Sequence, residues 1–262
     1  MPNFSDVNLV TQKENLEGIK TLPLSHNCNF HHVEGILNKK KIEAKDCNIF
    51  NDKLAYFFYG KPSYFKEAHK IPVFLLFEFK DLKTEHRIAP FDTGAYYNGL
   101  LDGVKKESIE DGKDSISLDK FCYLSKEGEN SEDYNKNVIS YFFDDNLNYY
   151  DNSIKDDIEH YNACSLHYEY IAVEGLYSKD YDDRATSIEV QFRDDFSIER
   201  NKLIYAFIPR DMAKAWTPKL KNINKDVQIE VYLRTKLSGG VTKMAGIANQ
   251  AIKRFLESKN LL

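Results

Sequence analysis

The chain has little that would cross-link it or hold it in a membrane. Its 262 residues include four cysteines. These are Cys28, Cys47, Cys122 and Cys164, scattered and without a Cys-x-x-Cys pair. Such usage argues against a disulfide framework and points to a reducing, cytoplasmic setting. The opening residues, Met1 to Asp6, carry neither a basic region nor an apolar core, so no secretory signal is expected. No apolar run approaches transmembrane length; the longest, Ile71 to Phe77, is strand-sized, and no membrane partner is expected. There is no Gly-x-Gly-x-x-Gly after a strand, no P-loop and no Gly-x-Ser-x-Gly elbow, which removes the common nucleotide-fold and serine-hydrolase fingerprints. Asp92-Thr93-Gly94 occurs once, with no internal repeat, whereas an aspartic protease needs two such lobes. His26, Cys28, His31 and His32 crowd one strand-to-helix junction. Structural zinc draws ligands from separated pairs, so no metal is expected.

What remains is a balance suited to a packed, water-soluble fold, with 42% hydrophobic and 29% charged residues. Tyrosine and phenylalanine number 17 each. Such a composition suits strands, and also half-polar pockets, because a tyrosine has an apolar body and a polar tip. The formal net charge of −5 is uneven. From Asn201 to Leu262 there are 12 Lys/Arg against 4 Asp/Glu, leaving 24 basic against 37 acidic residues before that point. A basic C-terminal quarter on an acidic body suits a polyanion, and equally suits lysines solvating the outer faces of helices.

Along the chain, residues 1–20 form a polar lead-in. Thr21 to His26 reads as a first strand. Phe30, Val33, Ile36 and Leu37 have helical spacing, with Asn27 or Asn29 as N-cap and a stop within Asn38 to Lys41. Leu54 to Tyr59 is an aromatic strand entering a Gly60-Lys61-Pro62 turn. Ile71 to Phe79 is nearly continuously apolar, as in a strand buried on both faces. Arg87 to Tyr96 is a strand-to-turn unit. Residues 102–160 are polar and acidic and are expected as an insertion or lid, with short helices at 118–124 and 138–143. His167 to Glu174 is β-rich. Lys202 to Ile208 and Val227 to Leu233 are strand-like. Asp211 to Trp216 is a short helix ended by Pro218, and Met244, Ile247, Ala248, Ala251, Ile252 and Phe255 mark a final amphipathic helix. The expected organisation is one domain over 1–262, its part 210–262 basic and helical.

The informative strand is Arg184 to Phe192. Ile188, Val190 and Phe192 alternate with Ser187, Glu189 and Gln191, so Glu189 leaves the strand on the side away from the apolar residues. Small hydroxyl residues before Glu189 leave room for a ligand, and Arg184 stands five positions before it.

Three segments in this order resemble a known arrangement. Leu24-Ser25-His26 closes the first strand before the short helix from Val33 to Leu37. Tyr56-Phe57 runs into Gly60-Lys61-Pro62 and Tyr64. Arg184 and Ile188-Glu189-Val190 precede a strand ending in Ile208-Pro209. This is similar to the ADP-ribosyltransferase superfamily of the His-Tyr-Glu type, most of all to the DarT branch, toxins that modify DNA bases. The resemblance implies an α+β fold, a split β-sandwich with peripheral helices, and NAD as substrate. It implies that His26 bonds the adenosine-side ribose and that Tyr56 lies beside nicotinamide, with Tyr59 and Tyr64 as further binding aromatics. It implies that Glu189 holds the nicotinamide-side ribose. Lys61, Arg184 or both would answer the pyrophosphate charge. DarT carries Arg-Ser-Pro after the aromatic strand, its arginine serving catalysis. Here Gly60-Lys61-Pro62 stands there, and Lys61 would act as a catalytic point charge without arginine's bidentate fork. The implied function is NAD-dependent transfer of ADP-ribose to a nucleic-acid or protein acceptor, toxin- or defence-like, with an antitoxin as partner. Two alternatives stand beside it: an NAD glycohydrolase, and a non-catalytic nucleotide- or nucleic-acid-binding sensor on the same fold.

Overall fold

The computed structural model describes residues 16–63, 71–80, 84–98, 122–125, 131–156, 183–233 and 240–262. Tyr64, the β-rich stretch 167–174 and, of the expected lid, residues 102–121, 126–130 and 157–160 therefore lie outside the described residues. The chain divides into two compact units. One comprises Met1–Thr21, Asp81–Val190 and Leu262; the other comprises Leu22–Lys80 and Gln191–Leu261.

The second unit is built on a mixed sheet. Its strands are β1 (Leu24–Asn29), β3 (Lys45–Cys47), β4 (Asp52–Tyr59), β5 (Pro72–Phe77), β10 (Leu203–Pro209) and β11 (Gln228–Tyr232). The hydrogen-bonded order is β11-β10-β5-β1-β4, with β3 on β4. β10 and β11 run parallel, while β1–β4, β1–β5, β5–β10 and β3–β4 pair antiparallel. Every residue of β5 is buried, and β1 and β10 pair with it on either side. That is why Pro72 to Phe77 needs an apolar side chain at every position rather than at alternate ones. A separate pair joins β2 (Lys41–Ile42) to β9 (Phe196–Ser197).

Phe57 anchors the core of this unit. Its ring meets Phe196 at 4.4 Å, Phe192 at 5.3 Å and Phe77 at 6.1 Å between centroids. Each such ring contributes about 1.5–3 kcal/mol by burial alone. Helix α1 (Phe30–Lys39) follows β1 directly. The Asn29 side chain accepts from the His31 amide, and the chain leaves the helix through Lys40 in the left-handed region at φ 55°. Val33, Ile36 and Leu37 form its buried face, as expected, while His31 and His32 are exposed.

One expectation fails in this unit. Pro218 does not end a short helix but sits inside a 14-residue one, Arg210–Ile223. A proline costs about 3 kcal/mol in a helix interior, and packing offsets it here. Trp216 and Leu220 are buried around it, and the Trp216 indole donates to Glu34 at 3.0 Å. The final amphipathic helix forms as Gly240–Ser258, burying Met244, Ala248, Ala251, Ile252, Phe255 and Leu256, with Ile247 exposed. Several cations of the basic C-terminal part are engaged locally: Lys219 with Glu34, Arg254 with Glu230, and Lys221 with the carbonyls of Lys225 and Val227.

The first unit holds β6 (His86–Ala89) paired antiparallel with β7 (Tyr123–Ser125), and the start of β8 (Glu189–Phe192). Its helices are α2 (Thr93–Tyr97), α3 (Glu132–Phe143) and α4 (Asn146–Tyr150). Tyr123 to Ser125 is a strand where helix is expected. Asp92-Thr93-Gly94 is not a free turn either: Asp92 caps α2, its Oδ1 accepting from the Ala95 amide at 2.8 Å. The helix expected at 138–143 forms and begins earlier. Val138, Ile139, Phe142, Phe143 and Tyr149 are fully buried, so residues 132–150 make a core of their own. With strands and six helices among the described residues, the α+β class holds. Among the described residues no helix is long and apolar enough to cross a membrane.

Candidate active site

In the first unit the segment before Glu189 is not strand. Asp183–Thr186 forms a 3-10 turn, and β8 begins at Glu189. The turn is fastened at several points. The Arg184 carbonyl accepts from the Asp92 amide at 3.0 Å and from Ser187 at 3.4 Å. Thr186 Oγ1 donates to Asn152 Oδ1 at 2.5 Å, and the Ile188 amide donates to the Tyr149 phenol oxygen at 3.1 Å. Thr186 and Ser187 are fully buried.

Glu189 itself is 2% exposed. The alternation of the strand suggested an outward-facing side chain, but all four residues of β8 are buried. Both carboxylate oxygens are held by one residue. Thr93 Oγ1 donates to Oε1 at 2.9 Å, and the Thr93 amide donates to Oε2 at 3.2 Å. A carboxylate removed from water costs several kcal/mol unless its oxygens are bonded. Thr93 supplies part of that compensation. At the next residue, Gly94, an added Cβ would lie 3.2 Å from Asp92 Oδ1, the oxygen that caps α2, a tight contact.

In the second unit, β1 pairs with β5 at all six of its residues but with β4 only at Leu24 and Ser25. The two strands part at His26. There the imidazole Nδ1 lies 3.0 Å from the Tyr56 carbonyl oxygen, and the ring packs 5.3 Å from Phe57. Tyr56 is half-buried and, by the alternation of β4, stands on the face opposite Phe57. Thus the structure brings His26 and the Tyr56 backbone together.

Tyr59 lies wholly inside the protein, its oxygen accepting from the Leu22 amide at 2.9 Å and its ring edge-on to Phe79. Lys61 follows Gly60 and is buried at 3% exposure. Gly60 adopts φ +76°, and its amide donates to the Pro23 carbonyl at 2.8 Å.

The chain is similar to DarT. Two solved structures of Thermus sp. 2.9 DarT illustrate the likeness. With the complex with NAD+ the identity is 9% and the TM-score 0.41, over 82% of this chain and 96% of that one. With the complex with ADP-ribosylated ssDNA the identity is 8% and the TM-score 0.39, over 81% and 94%. No protein-family profile and no curated protein matches the chain.

Chemically, the first unit offers a carboxylate with fixed oxygens, and the second offers an imidazole of defined tautomer. A carbonyl can only accept, so Nδ1 carries the proton and Nε2 is the acceptor of the neutral ring. Thr93 was missed in the sequence because it lies 96 residues from Glu189, in a tripeptide that reads as a turn. Among the described residues no group of three or more His, Cys, Asp or Glu side chains is placed to hold a metal ion.

Proposed function

We propose that this protein is an NAD-dependent ADP-ribosyltransferase that transfers ADP-ribose to a macromolecule, nucleic acid being the favoured acceptor. The observation that carries the reading is Glu189. It is an acid almost wholly removed from water, with both oxygens bonded, and the resemblance in motif order supports giving it the role of the family's glutamate.

In this reading His26 Nε2 accepts a hydroxyl of the adenosine-side ribose, and the Tyr56 ring lies beside nicotinamide. Lys61 and Arg184 offset pyrophosphate charge. The bond between nicotinamide nitrogen and ribose C1′ breaks, and its electron pair leaves with neutral nicotinamide. Positive charge develops on C1′ and the ring oxygen, and a fixed carboxylate stabilises it more than it stabilises the ground state. The acceptor's oxygen or nitrogen then bonds C1′ and releases a proton to solvent. With water as acceptor the same chemistry is NAD hydrolysis.

The test is purified protein with NAD, free nicotinamide being measured alone and with DNA, RNA or protein added, followed by mass spectrometry of each polymer. The expected result is nicotinamide release matched by ADP-ribose on nucleic acid. Release without any modified polymer would make the protein a glycohydrolase. Binding of NAD by calorimetry with none consumed over hours would overturn the enzymatic reading in favour of a sensor.

A further inference from the structure

We infer that Thr93 is the positioning residue for Glu189 in that reaction; the inference rests on the transferase reading above. Thr93 uses two donors on two oxygens of one carboxylate, Oγ1 on Oε1 and the amide on Oε2. Such a pair fixes both where the carboxylate sits and how its plane is turned, which a single bond does not. The support behind it is rigid. Thr93 is fully buried. Its predecessor Asp92 is bound twice, through its amide to the Arg184 carbonyl and through Oδ1 to the Ala95 amide. The Arg184 carbonyl belongs to the turn that leads into Glu189. The loop and the strand that it steadies are therefore tied together at the backbone and again at the side chains.

The catalytic consequence follows from orientation. A carboxylate free to rotate must be frozen as charge develops, whereas one already fixed stabilises that charge without reorganising. Thr93 touches no reacting atom in this account and acts only through Glu189. Removing its hydroxyl should slow the chemical step and leave NAD affinity largely as it was.

The test compares Thr93→Val, which keeps shape and loses the hydroxyl, with Thr93→Ser, which keeps the hydroxyl. Nicotinamide release gives kcat and KM, and calorimetry gives the NAD Kd. Thr93→Val is expected to lower kcat by about 10- to 100-fold, with Kd within about threefold of wild type, and Thr93→Ser to recover most of the rate. Should Thr93→Val fail to fold, Thr93→Ala takes its place under the same criteria. A kcat unchanged in the variant lacking the hydroxyl would overturn the inference while leaving the transferase reading intact. So would a Thr93→Ser chain as slow as Thr93→Val, because the role would then be packing. A wild-type chain that releases no nicotinamide defeats the transferase reading, and this inference with it.

Discussion

His26 reaches across the parting of two strands to the backbone of Tyr56: its Nδ1 stands 3.0 Å from the Tyr56 carbonyl oxygen, just past the last paired residues of β1 and β4. Just beyond the pairs Leu24–Tyr59 and Ser25–Phe58, the imidazole takes up one backbone acceptor of β4. The bond sets the tautomer and turns Nε2 into the ring's acceptor.

That arrangement separates two roles of one side chain. His26→Asn retains a donor close to the position of Nδ1, whereas His26→Ala retains none. For His26→Asn we expect a melting temperature near wild type and an NAD Kd raised about tenfold, the worth of one hydrogen bond to ligand. His26→Ala should lose both affinity and stability. Calorimetry and thermal melts on the two variants check this. A His26→Ala chain with unchanged NAD affinity would remove His26 from the binding site.

Gly60 should tolerate no side chain. Its φ of +76° lies in the left-handed region, and an added Cβ would come within 2.6 Å of Leu22 Cδ1. The same turn ties Gly60 to Pro23 and Tyr59 to Leu22. Gly60→Ala is predicted to lose about 1–3 kcal/mol of stability, measured as a lowered urea midpoint with an unchanged slope.

His86 gives the fold an acid limit. It is fully buried, its Nδ1 2.8 Å from the Thr84 carbonyl and its Nε2 2.7 Å from Ser131 Oγ. Burial holds its pKa below the usual 6.5, against the smaller opposing effect of the Thr84 bond. The unfolded chain therefore binds a proton before the folded one does. Stability is complete above pH 6.5 and falls as the pH drops from there toward the lowered folded value. Urea midpoints at neutral and mildly acidic pH should show this loss in the wild type. His86→Gln should show less of it. Equal slopes in the two proteins would contradict the assignment.

Lys61 is a lysine almost wholly removed from water. Lys61→Met keeps the stem and removes the charge. We expect it to weaken NAD binding by about tenfold, with little dependence on salt, since a buried charge is screened less than an exposed one. Calorimetry at two salt concentrations checks it.

The sequence made the local elements legible, and the clasps between distant residues were hidden. Helix α1 could be read because Val33, Ile36 and Leu37 repeat at helical spacing behind an asparagine cap. The β5 strand could be read because only a doubly covered strand is apolar at every position. Pro218 misled, since its penalty is local while the Trp216 and Leu220 packing that outweighs it is tertiary. The polar face of β8 misled for the same reason: alternation tells which side Glu189 takes, not whether that side is covered. Likewise nothing in Asp92-Thr93-Gly94 announces that its threonine grips an acid 96 residues away.

The central claim is that Glu189 stabilises the cation formed when nicotinamide leaves. Glu189→Gln keeps the shape of that side chain and removes its charge. The decisive measurement is free nicotinamide released from NAD by the wild type and by Glu189→Gln under identical conditions, with thermal melts on both. The account predicts a folded variant whose release falls by about 10²-fold or more. A folded variant with wild-type release would contradict it.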